Sequence, residues 1–209
     1  MRALVGHALG EIDPCIHLNA DLLGPVARGE RSSEYEEWLN RYDGKLDTSR
    51  EDFVQHHKER YGGTLPIWVA VEVLDWGMLT HLYSMSPRVA QVKVADAVNL
   101  TSPQLESWLK ALNIVRNIAA HHGRMYNRVY GKTPRLPRRE THPEVLFCAG
   151  ALNRIFGQAT LIQYLLRVLK VGNLKILPSV FKTFPENEIV PFWSTGAPDS
   201  WIQSGLWKL

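Results

Sequence analysis

A segment in the middle of the chain carries residue types that suit acid–base chemistry on a phosphate. Residues Arg116–Arg128 read RNIAAHHGRMYNR. Cleavage of RNA by its own 2′-hydroxyl requires a proton acceptor that works near neutral pH, a proton donor for the leaving 5′-oxygen, and positive charge around the phosphorane. Histidine supplies either proton role, and arginine supplies the charge. No carboxylate cluster of the kind that holds catalytic metal ions flanks the segment, so this chemistry would need neither a metal nor a cofactor.

Helical geometry divides these polar residues between two faces. A helix turns by about 100° per residue, so if it continues through the segment it collects four of them within a stripe about 60° wide. The four are Asn117, His121, Arg124 and Arg128. Arg116 falls on a neighbouring stripe. A joint site for Arg116 and His121 therefore needs a distorted helix end or a second copy of the chain.

The net charge of +3 is unevenly distributed along the chain. Ser107–Arg139 contains eight basic residues and no Asp or Glu, whereas the remainder has 16 basic and 21 acidic residues, a net −5. Clustered Lys and Arg release counterions when they bind phosphates, which favours an anionic partner. The alternative is a solvated basic loop. Tyr126 and Tyr130 lie among these arginines, where they could stack on unpaired bases of RNA.

Length and composition exclude several classes of protein. With 209 residues, 45% of them apolar and 22% charged, the chain is typical of a soluble globular domain with an appended tail. Its two cysteines, Cys15 and Cys148, are too few for a disulfide scaffold and favour the cytoplasm. The sequence shows no secretory signal and no apolar run of about 18 residues, so we expect no membrane partner. The His56-His57 pair lacks the spacing of a metal site, and no phosphate-binding glycine loop is present.

The hydrophobic spacing predicts helices throughout and an all-α bundle. The first half of the chain is predicted to form a helix over 2–23 interrupted at Pro14, a short helix near 33–39, a helix from a Thr48/Glu51 capping box to Tyr61, a core helix over 66–82 and a helix over 87–98. In the second half, a helix begins at Ser102-Pro103, and an extended loop over 131–143 and a long helix over 141–171 follow it. The chain ends in an irregular tail with four prolines and three tryptophans. We expect the tail tryptophans to close a core rather than to mark a partner surface.

Four motifs in this order resemble the Abi-like abortive-infection proteins, a bacterial phage-resistance family of the HEPN superfamily. The motifs are Phe53-x2-His56-x4-Tyr61, Pro66-x-Trp68-x3-Glu72-x-Leu74-x2-Gly77-x-Leu79, Ser107-Trp108-Leu109 and Arg116-Asn117-x2-Ala120-His121-His122-x-Arg124-x2-Asn127-Arg128. The resemblance spans about residues 2–171. Family members usually begin with a Tyr-Arg-Leu-Ser-Gly-Tyr-like stretch that has no counterpart here. We therefore expect a HEPN-like helical domain over 2–172 without that N-terminal family region, and a C-terminal extension over 173–209 that packs on it.

The resemblance implies a metal-independent endoribonuclease site at the Arg-x4-His motif. By this resemblance, His121 is the general acid or base, Arg116 contacts the phosphate and Asn117 orients one of them. Six further residues are implied or expected as RNA contacts, or as structural supports of the site: Arg124, Asn127, Arg128, His122, Tyr126 and Lys132. HEPN proteins commonly form homodimers in which the motifs face each other, and an RNA or protein antitoxin often restrains such a toxin.

Two other functions stay open for this segment. One is a non-catalytic HEPN module that binds RNA or an antitoxin and keeps the motif for phosphate contact. The other is an acceptor of nucleotidyl groups, for which Tyr126 and Tyr130 are the candidate residues. Catalysis predicts that His121→Ala abolishes cleavage while RNA binding survives, whereas a binding module predicts no cleavage at all.

Overall fold

The computed structural model describes residues 1–29, 32–137, 142–185 and 187–208. The predicted all-α class is confirmed, because the described residues form α-helices and short 3₁₀ turns and no strand. The helices are α1 (Arg2–Gly10), α2 (Ser32–Thr48), α3 (Asp52–Arg60), α4 (Ile67–Val73), α5 (Trp76–Met85), α6 (Arg88–Asp96), α7 (Ser102–Ala120), α8 (Pro143–Leu146), α9 (Ile155–Leu169) and α10 (Ile176–Lys182). Over the same residues, no helix is both long and apolar enough to cross a membrane.

The chain forms two compact units, Met1–Asp96 and Ala97–Leu209. The first unit contains α1–α6, and the second contains α7–α10, with the Arg116–Arg128 segment wholly inside it. The predicted division into residues 2–172 and 173–209 stays a prediction.

In the first unit, α1 packs against α4 and α6. The predicted core helix over 66–82 is wrong as a single element, because it is two helices separated at Leu74 and Asp75. Leu74 has an extended backbone, and the Asp75 carboxylate accepts a hydrogen bond from the Met78 backbone N–H at 2.9 Å. An N-cap of this kind satisfies a backbone donor that a new helix leaves free, so Asp75 starts α5.

The predicted short helix near residue 33 is also wrong in length, because α2 runs for 17 residues to Thr48. Thr48 does not cap the next helix: its hydroxyl donates to the Gly44 carbonyl oxygen within α2. The helix that follows begins at Asp52, and its N-cap residue Glu51 makes no capping side-chain hydrogen bond. Near the N-terminus, the α-helix stops at Gly10, before Pro14, and 3₁₀ turns follow it.

In the second unit, α7 packs against α9. Its N-cap is Thr101 rather than Ser102, and the Thr101 backbone N–H donates to the Gln104 side chain at 2.9 Å. The chain after the motif forms a loop over 131–137, the part of the predicted 131–143 loop that the structure describes before residue 138, and it is bonded to α7. Trp108 Nε1 donates to the Arg135 carbonyl oxygen at 2.8 Å and thereby fixes this loop to the helix.

The predicted long helix over 141–171 is wrong, because α8 and α9 are separated by turns over 147–154. Gly157, in the first turn of α9, explains part of this arrangement: a Cβ there would lie 2.3 Å from the Ala151 carbonyl oxygen. Only glycine allows the preceding turn to cross so close to the helix. The predicted start of this helix at Thr141 falls outside the described residues.

The C-terminal tail is more ordered than its prolines suggest. It contains α10, and its aromatic residues enclose Phe156 of α9: Trp207 stacks on that ring at 4.7 Å, and Trp201 and Phe181 meet it edge-on. Trp207 is fully buried, whereas Trp193 is 73% exposed. Two of the three tail tryptophans therefore close a core, as expected.

Candidate functional site: the end of α7

The helix that carries the motif ends inside it. The last helical residue is Ala120, and three backbone hydrogen bonds close the end: His121 N–H to Asn117 O at 3.1 Å, His122 N–H to Ala119 O at 3.1 Å, and Gly123 N–H to Ile118 O at 2.8 Å. The last two bonds are those of a Schellman motif. The helix does not continue through Arg128, so the stripe expected on that condition does not form, and the alternative of a distorted helix end is what the structure contains.

Gly123 and His122 show why the helix stops at this point. A Cβ on Gly123 would lie 3.0 Å from Ile118 Cγ2 and 3.1 Å from the Ile118 carbonyl oxygen, so a larger residue would crowd the closing turn. His122 takes the left-handed position of the motif, with φ of 52°. That position normally belongs to glycine, and another residue there costs roughly 1–2 kcal/mol. Backbone strain is thus located within the motif itself.

Arg116 and Asn117 lie exposed near the end of α7. A guanidinium N–H of Arg116 donates to Asn117 Oδ1 at 3.1 Å, so Asn117 fixes the direction of the neighbouring charge. His121 is the C-cap residue, and its side chain is exposed. A helix C-terminus carries partial negative charge, so it does not attract phosphate on its own. Any anion bound here must be held by the arginine side chains.

The loop after the helix is fastened within the second unit. The Tyr126 hydroxyl donates to the Pro191 carbonyl oxygen at 3.0 Å, and its ring lies 5.4 Å from that of Phe184. Asn127 has a left-handed backbone with φ of 48°, and its Oδ1 accepts a hydrogen bond from Arg154 at 3.3 Å. Arg154 is a basic residue beside the motif that the sequence analysis missed. Because Arg154 lies 27 residues after Asn127, no local sequence pattern indicates that the two side chains meet.

Arg124, Arg128 and Lys132 point into solvent, and a guanidinium N–H of Arg128 donates to the Arg124 carbonyl oxygen at 3.3 Å. Tyr130 behaves differently, because its ring is buried and its hydroxyl donates to the Met125 carbonyl oxygen. Burial also raises the pKa of the Tyr130 hydroxyl. Tyr130 is therefore not available for stacking on a base or for accepting a nucleotidyl group, whereas Tyr126 is half-buried and its hydroxyl is bonded to Pro191.

The positive charge of the segment is not neutralised locally. Among the residues that the structure covers, no carboxylate forms an ion pair with any of five cations around the motif. The five are Arg116, Arg124, Arg128, Lys132 and Arg154. Arg138 and Arg139, which belong to the same basic run, lie outside the described residues. An exposed, unpaired cationic surface is the usual footprint of a phosphate-binding protein.

No group of three or more His, Cys, Asp or Glu side chains in the described parts of the chain is arranged to hold a metal ion. The His56-His57 pair instead packs on Tyr61, and His57 Nδ1 lies 2.8 Å from the Phe53 carbonyl oxygen. The site at the end of α7 thus consists of one exposed histidine, its histidine neighbour, an Asn-held arginine and further cations.

Comparison with known families assigns the chain to one of them. The model of the Abi-like protein family matches residues 1–127, which include the motif as far as Asn127, and the chain belongs to that family. Membership indicates a role in abortive infection, a form of phage defence. No curated protein and no solved structure matches the chain.

Proposed function

We propose that this protein is a metal-independent endoribonuclease of the HEPN type, acting in an abortive-infection or toxin-type defence system. The observation that carries the proposal is the end of α7, where an exposed histidine and an arginine oriented by Asn117 lie among cations that have no carboxylate partner in the described part of the chain. These are the groups that cleavage by the 2′-hydroxyl requires.

In this mechanism, a base removes the proton of the 2′-hydroxyl, whose oxygen attacks the adjacent phosphorus. The bond from phosphorus to the 5′-oxygen breaks, an acid protonates that oxygen, and a 2′,3′-cyclic phosphate remains. His121 takes one of the two proton roles. Arg116 stabilises the charge that develops on the phosphorane, and Asn117 positions its guanidinium.

The remaining predicted residues bind the RNA around the cut. Arg124, Arg128 and Lys132 contact backbone phosphates, and the accessible part of the half-buried Tyr126 ring stacks on a base. Asn127 shapes the loop through its bond with Arg154, so we assign it a structural as well as a contact role. His122 is a second proton carrier beside the first.

A homodimer completes the site in this proposal, because helical geometry puts Arg116 and His121 on different stripes of the helix end, so that Arg116 of one protomer acts together with the partner's His121. A mixture of Arg116→Ala and His121→Ala chains tests this directly. Each variant alone is expected to be inactive, whereas co-refolded or co-expressed chains should regain part of the parent's activity, since one shared site per heterodimer is intact. A mixture that stays inactive contradicts the shared site. In the cell, an RNA or protein antitoxin that covers this exposed surface would restrain the enzyme.

The test of the activity itself uses the purified chain, total bacterial RNA and EDTA. We expect the parent protein and a His81→Ala control to cleave RNA, and His121→Ala to leave it intact. His81 is a suitable control because it is also an exposed histidine, on α5. Binding of RNA without cleavage by any of the three proteins would instead identify a non-catalytic RNA-binding module.

A further inference from the structure

A second polar concavity lies along the first half of α7. It is a groove of about 420 Å³, within the size range of ligand sites, and the loop over 131–135 forms its other wall. The polar side chains that line it are Glu106, Ser107, Lys110, Lys132, Thr133 and Arg135. We refer to this feature as the α7 groove.

The groove is held open by bonds that do not use its charged side chains. The Arg135 backbone N–H donates to Ser107 Oγ at 2.8 Å, and the Arg135 carbonyl oxygen accepts from Trp108. Gln104 donates to the Leu136 carbonyl oxygen at 3.3 Å. The backbone of the loop is therefore fixed to α7, while the side chains of Lys132 and Arg135 remain exposed to a ligand.

Positive charge predominates in the α7 groove. Among the described residues that line it, the one carboxylate is Glu106, which forms an ion pair with Lys110, one turn later on α7. Lys132 and Arg135 have no carboxylate partner within the described residues. The groove thus presents two unpaired cations and the hydroxyl groups of Ser107 and Thr133, a set that matches phosphate oxygens and no cationic ligand.

The position of the groove links it to the end of α7. Residues seven apart on a helix return to nearly the same face, so Lys110 and Asn117 are aligned at a separation of about 10 Å along the axis. Lys132 belongs to both surfaces, because it follows the motif loop and also lines the groove. A strand bound at the motif can therefore continue along α7 into the groove.

We propose that the α7 groove binds the backbone phosphates of the single-stranded RNA that flanks the cut. This inference rests on the proposed ribonuclease function and extends it, because it makes affinity depend on the length of the RNA and not on its bases. Contacts to phosphate fix the register of a strand but carry no sequence information.

The experiment uses the full-length protein and a fluorescent 2′-O-methyl oligonucleotide, which lacks the attacking hydroxyl and cannot be cut. Fluorescence anisotropy gives its Kd at several KCl concentrations. For the double variant Lys132→Gln/Arg135→Gln, we expect a Kd about tenfold higher. The slope of log Kd against log KCl concentration should be smaller by about 1.4, which is the change for two lost phosphate contacts to a single strand. A dinucleotide, whose single phosphate cannot occupy the motif and the groove together, should lose less affinity than a longer oligonucleotide.

The matched control is Arg50→Gln/Arg60→Gln, which removes the same charge from exposed positions of the first unit. We expect its Kd to change less than twofold. A third variant, Glu106→Gln, removes the carboxylate from the groove and should bind more tightly than the parent. This gain cannot arise from a loss of folding, so it separates the electrostatic effect from damage to the fold.

Equal losses of affinity in the two double variants, or an unchanged Kd for Glu106→Gln, would overturn the proposal that the α7 groove binds RNA. Neither result would affect the proposed cleavage of RNA at the motif. A parent protein that neither binds nor cuts RNA would instead overturn the proposed function, and the groove with it.

Discussion

The two units of the molecule each place a histidine in an informative position, and the two settings are opposite. His17 in the first unit is 0% exposed and lies edge-on to two rings that stack on each other, Tyr42 at 5.2 Å and Trp38 at 6.4 Å. His121 in the second unit ends a helix and is exposed among unpaired cations. The comparison teaches that burial, rather than residue type, decides which of the two histidines is open to a ligand.

The energetics of the two residues differ accordingly. Burial lowers the pKa of His17 to about 4, and its Nδ1 has no hydrogen-bond partner in the structure. A neutral ring that reaches only the Tyr42 hydroxyl, at 3.4 Å from Nε2, contributes packing and has no access to a substrate. His121, by contrast, contributes little packing and is open to a ligand.

The largest expected effect is a loss of RNA cleavage without a loss of stability, caused by a substitution at His121. We expect His121→Ala to lower the rate of RNA cleavage by about 10²–10⁴-fold, the usual contribution of a general acid or base. Its melting temperature should stay close to that of the parent, because the side chain is exposed. Gel-based cleavage rates and circular dichroism melts measure the two quantities. A large drop in the melting temperature of His121→Ala with an unchanged cleavage rate would contradict the account, because it would make His121 a structural residue.

His17 should govern the pH dependence of stability. Its folded pKa of about 4 lies below the ordinary 6.5, so between these values the unfolded chain binds a proton that the folded chain does not. The free energy of unfolding therefore falls as pH drops from about 6.5 to about 4, by about 3 kcal/mol, and is constant below that range as far as this group is concerned.

Urea denaturation at a series of pH values measures this dependence. In His17→Leu, the slope between pH 6.5 and 4 should decrease, whatever its stability at neutral pH, whereas the exposed control His81→Ala should keep the parent's slope. Identical slopes in the parent and in His17→Leu would contradict the role given to burial.

A smaller effect tests the orientation of Arg116. We expect Asn117→Ala to slow RNA cleavage by roughly tenfold, because a hydrogen bond to a charged group contributes about 1.5 kcal/mol or less at an exposed site. Replacement by Ser or Gln, which keep an acceptor oxygen, should restore part of the rate. Steady-state rates at equal protein concentration provide the measurement, and an unchanged rate in the alanine variant would remove Asn117 from the site.

The smallest expected effect concerns the strained helix end. His122→Gly should raise the free energy of unfolding by about 1 kcal/mol, because glycine adopts the left-handed backbone without steric cost. His122→Ala gives no such relief and is the matched control. Chemical denaturation compares the two variants, and equal stabilities would show that residue 122 is not strained in solution.

The helical class and the motif could be predicted because both depend on short-range patterns. Apolar spacing indicates most helices, and the Pro103 region indicates where α7 begins. The end of α7 at Ala120 was not predicted, because its glycine, Gly123, lies one position beyond the left-handed residue that closes the helix. The division at Asp75 has a local signal, an N-cap residue within an apolar run, that the periodicity outweighed.

Other features depend on residues distant in the chain. The bond from Arg154 to Asn127 joins segments 27 residues apart. Neither partner indicates the other in the sequence. The α7 groove has the same origin, because it forms only when the loop over 131–135 lies against the helix.

The central claim is that the end of α7 cuts RNA by 2′-hydroxyl attack without metal, and substrate chemistry tests it most directly. After mapping a cut in one RNA, the same RNA is prepared with a single 2′-deoxy nucleotide on the 5′ side of that linkage and incubated with the parent protein in EDTA. We predict 2′,3′-cyclic phosphate ends on the unmodified RNA and no cut at the deoxy linkage. Cleavage at the deoxy linkage, or a requirement for a divalent metal, would contradict the account.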